Sequence, residues 1–135
     1  MHSQTIAYGF WFYHELLDKF TFKREKVLFH LPDGSACWIN TGSSRIKCLA
    51  RSPICVFCKV EGVIWILESI VVPGQILDPP HFGLYAIGKW DNLILMTQDH
   101  ILPRSRGGTY VQQNLQTACS RCNGKRGDTP MENYK

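Results

Sequence analysis

Several things are missing from this 135-residue sequence, and each absence removes a class of protein. No apolar run approaches the roughly 20 residues that a membrane-spanning helix needs. The nearest candidate, Val63 to Val72, is interrupted by Glu68. The start, Met1-His2-Ser3-Gln4-Thr5, lacks the basic-then-apolar order of a secretory signal, so the expected compartment is the cytoplasm. Internal repeats and low-complexity tracts are also lacking, which removes solenoids and linkers. With 44% hydrophobic and 19% charged residues, the composition is that of a globular chain and excludes disorder. The length suits one domain with a modest core and room for a small subdomain.

Strong charge of one sign is missing too: the formal net charge is +4. Its distribution is uneven. Residues 1–51 carry seven Lys/Arg against four Asp/Glu, residues 52–98 two against four, and residues 99–135 six against three. Two basic ends around a slightly acidic middle are compatible with a polyanionic partner and do not by themselves demand one.

The local pattern places the elements. From Phe10 to Phe20, apolar groups at Phe12, Tyr13, Leu16, Leu17 and Phe20 have helical spacing and predict a short amphipathic helix. Val27–Leu31 and Ala36–Asn40 read as two strands joined by the turn residues Pro32-Asp33-Gly34. Thr41 to Ser44 reads as a loop leading into the basic stretch Arg45–Arg51. Val63–Val72 is rich in β-branched residues and predicts a strand ended by Pro73-Gly74. Asp78-Pro79-Pro80-His81-Phe82-Gly83 reads as a loop. Leu84–Ile87 and Leu93–Thr97 bracket Gly88 to Asn92 as a hairpin. After Asn114 a brief strand and then a helix over Ser120 to Arg126 are expected, and Thr129-Pro130-Met131-Glu132 resembles a capping box opening a last helical turn.

Cysteine is not scarce. Cys55-Val56-Phe57-Cys58 and Cys119-Ser120-Arg121-Cys122 are two CxxC pairs. Two intervening residues let both sulfurs of a knuckle face one ion, and two knuckles complete the closed tetrahedral site preferred by structural Zn²⁺. Such a site has no open position, so its task is to staple distant parts of a small domain together. A redox dithiol or plain buried thiols would be the other reading, and the repeated spacing argues against both. Cys37 and Cys48 belong to neither pair and are expected as ordinary core thiols, a mutual disulfide being the alternative.

Between and after the knuckles lie Asp99-His100-Ile101-Leu102-Pro103-Arg104-Ser105-Arg106-Gly107-Gly108, Asn114-Leu115-Gln116, and Asn123 directly after Cys122. This string resembles the motif of the HNH endonucleases, in the CxxC-flanked form of bacterial and phage members. The resemblance covers roughly residues 51–134 and is dense from Asp99 to Thr129. Phosphodiester hydrolysis needs an activated water, neutralisation of charge on the phosphorus centre and stabilisation of the leaving oxygen. The resemblance implies that His100 is the general base, a role suited to a group titrating near neutrality. It implies that Asp99 and Asn123 are oxygen ligands of a divalent ion, Mg²⁺ by preference, and that Asn114 braces the loop between two strands and so orients His100. Arg104, Arg106, Arg121, Lys125 and Arg126 become expected DNA contacts, gripping phosphates without reading sequence. His2, His14, His30 and His81 are expected to be ordinary exposed polar groups.

Two departures from the family pattern stand out. The third motif position holds Asn123 where His is frequent, the HNN variant, which leaves the metal preference open. Forty residues separate Cys58 from Asp99, so residues 63–87 are expected as an inserted strand or hairpin, a DNA-contacting or dimer-forming addition. The fold expected is α+β: a small ββα-metal finger stapled by a Cys₄ zinc site over residues 51–135, with an N-terminal helix and β-hairpin extension over residues 1–50. The function implied is an endonuclease that hydrolyses DNA to 5′-phosphate and 3′-hydroxyl ends, as monomer or homodimer, with RNA left open as substrate. Homing and phage nucleases are among the relatives implied; if phage-encoded, the chain would act in the host cytoplasm. The rival reading is a non-catalytic zinc-ribbon module that binds nucleic acid, which has no use for Asp99, His100 and Asn123 together. A redox or metal-storage protein gains nothing from them either.

Overall fold

A computed structural model describes residues 4–23, 25–76, 78–129 and 131. Along the chain come β1 (Gln4–Phe12), α1 (Tyr13–Leu16), β2 (Lys26–His30), β3 (Ala36–Asn40), α2 (Ser44–Arg51), β4 (Gly62–Val72), β5 (Gln75–Ile76), β6 (His81–Ile87), β7 (Leu93–His100), β8 (Leu115–Cys119) and α3 (Ser120–Arg126), a mixed α/β set. The residues fall into two units, Met1–Ser43 with Ile64–Gly83 and Ser44–Val63 with Leu84–Lys135. The division falls after residue 43 and not after 50, because α2 buries its apolar side within the second unit. Most of the expected insertion, Ile64–Gly83, groups with the N-terminal part.

The first unit corrects the helix expected over Phe10–Phe20. Phe10, Trp11 and Phe12 end β1, which pairs antiparallel with β4 at Phe10↔Ile66, Trp11↔Trp65 and Phe12↔Ile64. Aromatic residues fit a pleated surface well, and cross-strand pairing outweighs helical spacing here. The helix keeps only Tyr13–Leu16, where Glu15 Oε1 accepts from Phe12 N–H at 2.9 Å and blocks the first turn. The β2–β3 hairpin pairs Lys26↔Asn40 through His30↔Ala36, as expected. Asp33 Oδ1 accepts from Ser35 N–H at 2.9 Å, and Gly34 turns at φ +88°.

Phe82 was expected in a loop; it lies one residue into β6 and is fully buried. Its ring is 5.0 Å from Phe29, 5.4 Å from Phe20, 5.7 Å from Trp11 and 6.4 Å from Trp65. Pro79 and Pro80 stop short of the strand, so they remove no ladder donor from it. Trp65, fully buried, stacks on Tyr13 at 5.9 Å and donates its indole N–H to Tyr13 O at 3.1 Å. This unit is held by aromatic packing.

In the second unit the end of β6, β7 and β8 form consecutive antiparallel pairs, including Tyr85↔Leu95 and the run Met96↔Cys119 to His100↔Leu115. The basic stretch Arg45–Arg51 is helical: Ile46, Cys48 and Leu49 are buried on one side of α2. α2 meets the ladder at Gln98 and Thr117, one cross-strand pair, through Ser44 Oγ–Gln98 Oε1 (3.2 Å) and Cys48 Sγ–Thr117 Oγ1 (3.7 Å). α3 meets it at Thr97 and Asp99. Because side chains alternate along a strand, the two helices cover opposite faces of β7–β8. Cys37 is half-buried and Cys48 buried, both as free thiols. The capping-box segment lies largely outside the described residues, as does His2. No helix among the described residues is long and apolar enough to cross a membrane.

Candidate active site

The first knuckle is a tight turn after α2. Cys55 N–H donates to Val60 O (2.9 Å) and Lys59 N–H returns to Cys55 O (3.0 Å), with Lys59 in the left-handed region at φ +69°. Val56 N–H donates to Thr117 O at 3.0 Å, which ties this turn to β8. The second knuckle straddles the β8–α3 junction, where Cys119 is the N-cap and its sulfur accepts from Cys122 N–H at 3.5 Å. All four sulfurs lie within 4.8 Å of one another. The Cys58–Cys119 sulfur separation is 3.7 Å, close to the ~3.8 Å edge of a tetrahedron with bonds of ~2.3 Å. The donor set and spacing fit a metal such as zinc. As free thiols, Cys55 and Cys122 titrate far apart. Burial raises Cys55, but backbone hydrogen bonds at Cys58, Cys119 and Phe57 outweigh it and bring the thiol down to about 7. Burial pushes Cys122 up to about 12.

From that clamp the strand and helix run to a second centre. Asp99, His100 and Asn123 line one cavity of about 270 Å³, with Gln98, Pro103 and Arg104 also in its wall. His100 ends β7, and its ring packs edge-on against Tyr110 at 4.6 Å. Its Nε2 is buried and has no hydrogen-bond partner among the described residues. Burial lowers its pKa from the usual 6.5, and the Arg104 charge lowers it further, against an opposing pull from Asp99. A pKa below 6.5 leaves the imidazole mainly neutral at neutral pH. Asn123 Nδ2 donates to Thr97 Oγ1 at 2.9 Å, which leaves the amide oxygen free to act as a ligand. Asp99 is 5% exposed. A carboxylate, an amide and an imidazole around one cavity of this size fit a hydrated divalent ion.

Asn114 lies outside that cavity wall. Its amide holds the intervening loop at three points: Oδ1 accepts from Leu102 N–H (2.8 Å), while Nδ2 donates to Leu102 O (3.1 Å) and Thr109 O (2.9 Å). The same loop needs its glycine pair. Gly107 sits at φ +94°, and a Cβ on Gly108 would stand 1.7 Å from Leu102 O. Arg104 lies over the Tyr110 ring and donates to its hydroxyl at 3.0 Å. Arg104, Arg106, Arg121 and Lys125 are exposed.

Arg126 requires a correction. It was expected at the DNA surface, yet it is 1% exposed. Its guanidinium donates to Asp99 Oδ2, His100 O, Ile101 O and Thr129 O inside the unit. Gln116, unassigned from sequence, donates to Asp99 Oδ2 at 2.9 Å because the register sets it opposite Asp99. Tyr110 and Thr97 were also missed. Only the register of β7 against β8 could have revealed Gln116, and nothing local marks Arg126 as the basic residue that turns inward.

The geometry defines a class: a thiolate-clamped pair of strands and a helix, carrying an acid–imidazole pair beside a second oxygen donor. The sequence profile of the HNH endonucleases matches residues 90–133, the stretch that holds Asp99, His100, Asn123 and the second knuckle. No curated protein and no solved structure gives a match to the chain.

Proposed function

We propose that the protein is a metal-dependent endonuclease that hydrolyses DNA phosphodiesters to 5′-phosphate and 3′-hydroxyl ends, using β7, β8 and α3 as its ββα-metal unit. The observation that carries this reading is that His100, whose buried Nε2 has no hydrogen-bond partner among the described residues, lines one cavity with Asp99 and Asn123. In this reading His100 accepts the proton of the attacking water at Nε2. Asp99 and Asn123 hold a divalent ion, Mg²⁺ by preference, which when bound neutralises charge on the phosphate and on the leaving 3′ oxygen. Asn114 acts through the loop it braces and so orients His100. Cys55, Cys58, Cys119 and Cys122 hold Zn²⁺ as a structural ion with no open position. Arg104, Arg106, Arg121 and Lys125 are exposed on the same unit and supply phosphate contacts. The match of residues 90–133 to the HNH endonuclease profile supports a nucleic-acid substrate.

The test is conversion of supercoiled plasmid to open circles with Mg²⁺, then with EDTA, followed by ligase sealing of the nicks. Mg²⁺-dependent nicks that ligase closes are expected, since ligation needs a 5′-phosphate beside a 3′-hydroxyl. A protein that binds plasmid and leaves it intact would be a zinc-stapled binding module.

A further inference from the structure

Arg126 has no exposed side-chain surface and stands against the carboxylate assigned above to the divalent ion. Nη1 donates to Asp99 Oδ2 at 2.5 Å and to His100 O at 2.6 Å, Nη2 to Ile101 O at 2.6 Å, and Nε to Thr129 O at 2.8 Å. With Gln116 Nε2 at 2.9 Å, the single oxygen Oδ2 receives two donors. We propose that Arg126 is a positioning residue that reserves Asp99 Oδ2, so that a divalent ion takes Asp99 through its other oxygen alone and is held weakly. This rests on the nuclease reading.

Three physical points support it. The guanidinium is a rigid fork that cannot be deprotonated, so the ion cannot remove its charge. Separating a buried, hydrogen-bonded ion pair leaves an uncompensated charge, so taking the free oxygen costs less than displacing Arg126. A permanent positive charge beside the ligand also opposes a second cation. The same fork bonds the carbonyls of His100 and Ile101, so the ligand and the base are fixed to one group and keep a constant separation. Weak ion binding and a rigid base therefore share one cause, and removing the charge should move the two in opposite directions.

The experiment uses the zinc-loaded full chain. Mn²⁺ affinity is measured for wild type, Arg126→Gln and Arg126→Lys, with single-turnover nicking of plasmid alongside. Arg126→Gln should bind Mn²⁺ about tenfold or more tightly, the scale of one neighbouring charge at a partly buried site, and should nick more slowly. Arg126→Lys, which keeps the charge, should stay near the wild-type affinity. A merely structural role predicts equal or weaker Mn²⁺ binding in Arg126→Gln, and that result would overturn the proposal. Should Arg126→Gln fail to fold, nitrogen-15 NMR of wild type decides the matter. The Arg126 Nε–H signal should persist, protected from exchange, at saturating Mg²⁺; its loss to solvent exchange would show the ion displacing the guanidinium and sink the idea. If wild type neither binds Mn²⁺ nor nicks, the nuclease reading falls and takes this proposal with it. If wild type does both while Arg126→Gln gains no affinity, only the proposal falls.

Discussion

The two units of the molecule hold themselves together by different means. In Met1–Ser43 with Ile64–Gly83, the interior is rings: Trp11, Phe20, Phe29, Trp65 and Phe82 touch one another at 5.0–6.4 Å between centroids. In Ser44–Val63 with Leu84–Lys135, α2 and the ladder bury smaller groups, and the fixed points are polar: four thiols, the Asp99–Arg126 pair and the Asn114 brackets. Packing of rings is non-directional and tolerates small shifts. Thiolate coordination and charge-assisted hydrogen bonds are directional and hold atoms to fractions of an ångström. The residues proposed to carry the chemistry lie in the directional unit, where position matters most.

Removing the zinc proposed for the four thiols should produce the largest effect. Structural zinc contributes on the order of 10 kcal/mol to domains of this kind. Chelation or Cys119→Ser should therefore abolish amide protection over β7, β8 and α3, read by hydrogen exchange. Protection in β1 and β4 that persists under chelation would sharpen the contrast; protection of β7 and β8 that also persists would break it. Trp65→Ala should cost about 3–5 kcal/mol as a large ring leaves a closed core, while the zinc content per chain stays that of wild type. Loss of zinc together with the ring would show that the directional unit depends on the aromatic one.

Asn114→Ala removes all three brackets at once and should cost about 1–3 kcal/mol, seen as a lower melting temperature. It should lower kcat more than it raises KM, because the loop it holds carries no cavity-wall contact from Asn114 itself. A KM rise with kcat intact would instead place Asn114 in substrate binding. The smallest effect concerns pH. A base whose folded pKa lies below 6.5 is already deprotonated at neutrality, so the rate should be flat there and fall as pH drops through the lowered value. Arg104→Ala removes a charge that holds that value down, and the acidic limb should shift to higher pH. A limb that does not move would assign it to another group.

Legibility in the sequence followed locality. The knuckles, the β2–β3 turn, the β6–β7 hairpin and α3 could be read because spacing and turn residues within a few positions specify them. The Phe10–Phe20 helix could not be excluded locally: its aromatic run satisfies helical spacing, and only β4 opposite it selects a strand. Phe82 was hidden by two prolines and a glycine that flank it. Asp99, His100 and Asn123 were legible as a set through family resemblance, whereas the partners of Asp99 were not. Gln116 depends on the β7–β8 register, and Arg126 on which side of a seven-residue helix turns inward. Neighbouring Lys125 and Arg126 have the same charge and opposite fates, one exposed and one buried.

The central claim is that His100 takes a proton from water in this cavity. Single-turnover cleavage of a labelled duplex at saturating Mg²⁺, with wild type and His100→Ala matched for zinc content and melting temperature, tests it directly. The account predicts a loss of about 10²–10⁴-fold in rate for the variant, the usual worth of a positioned general base. Equal rates from the two proteins would contradict it.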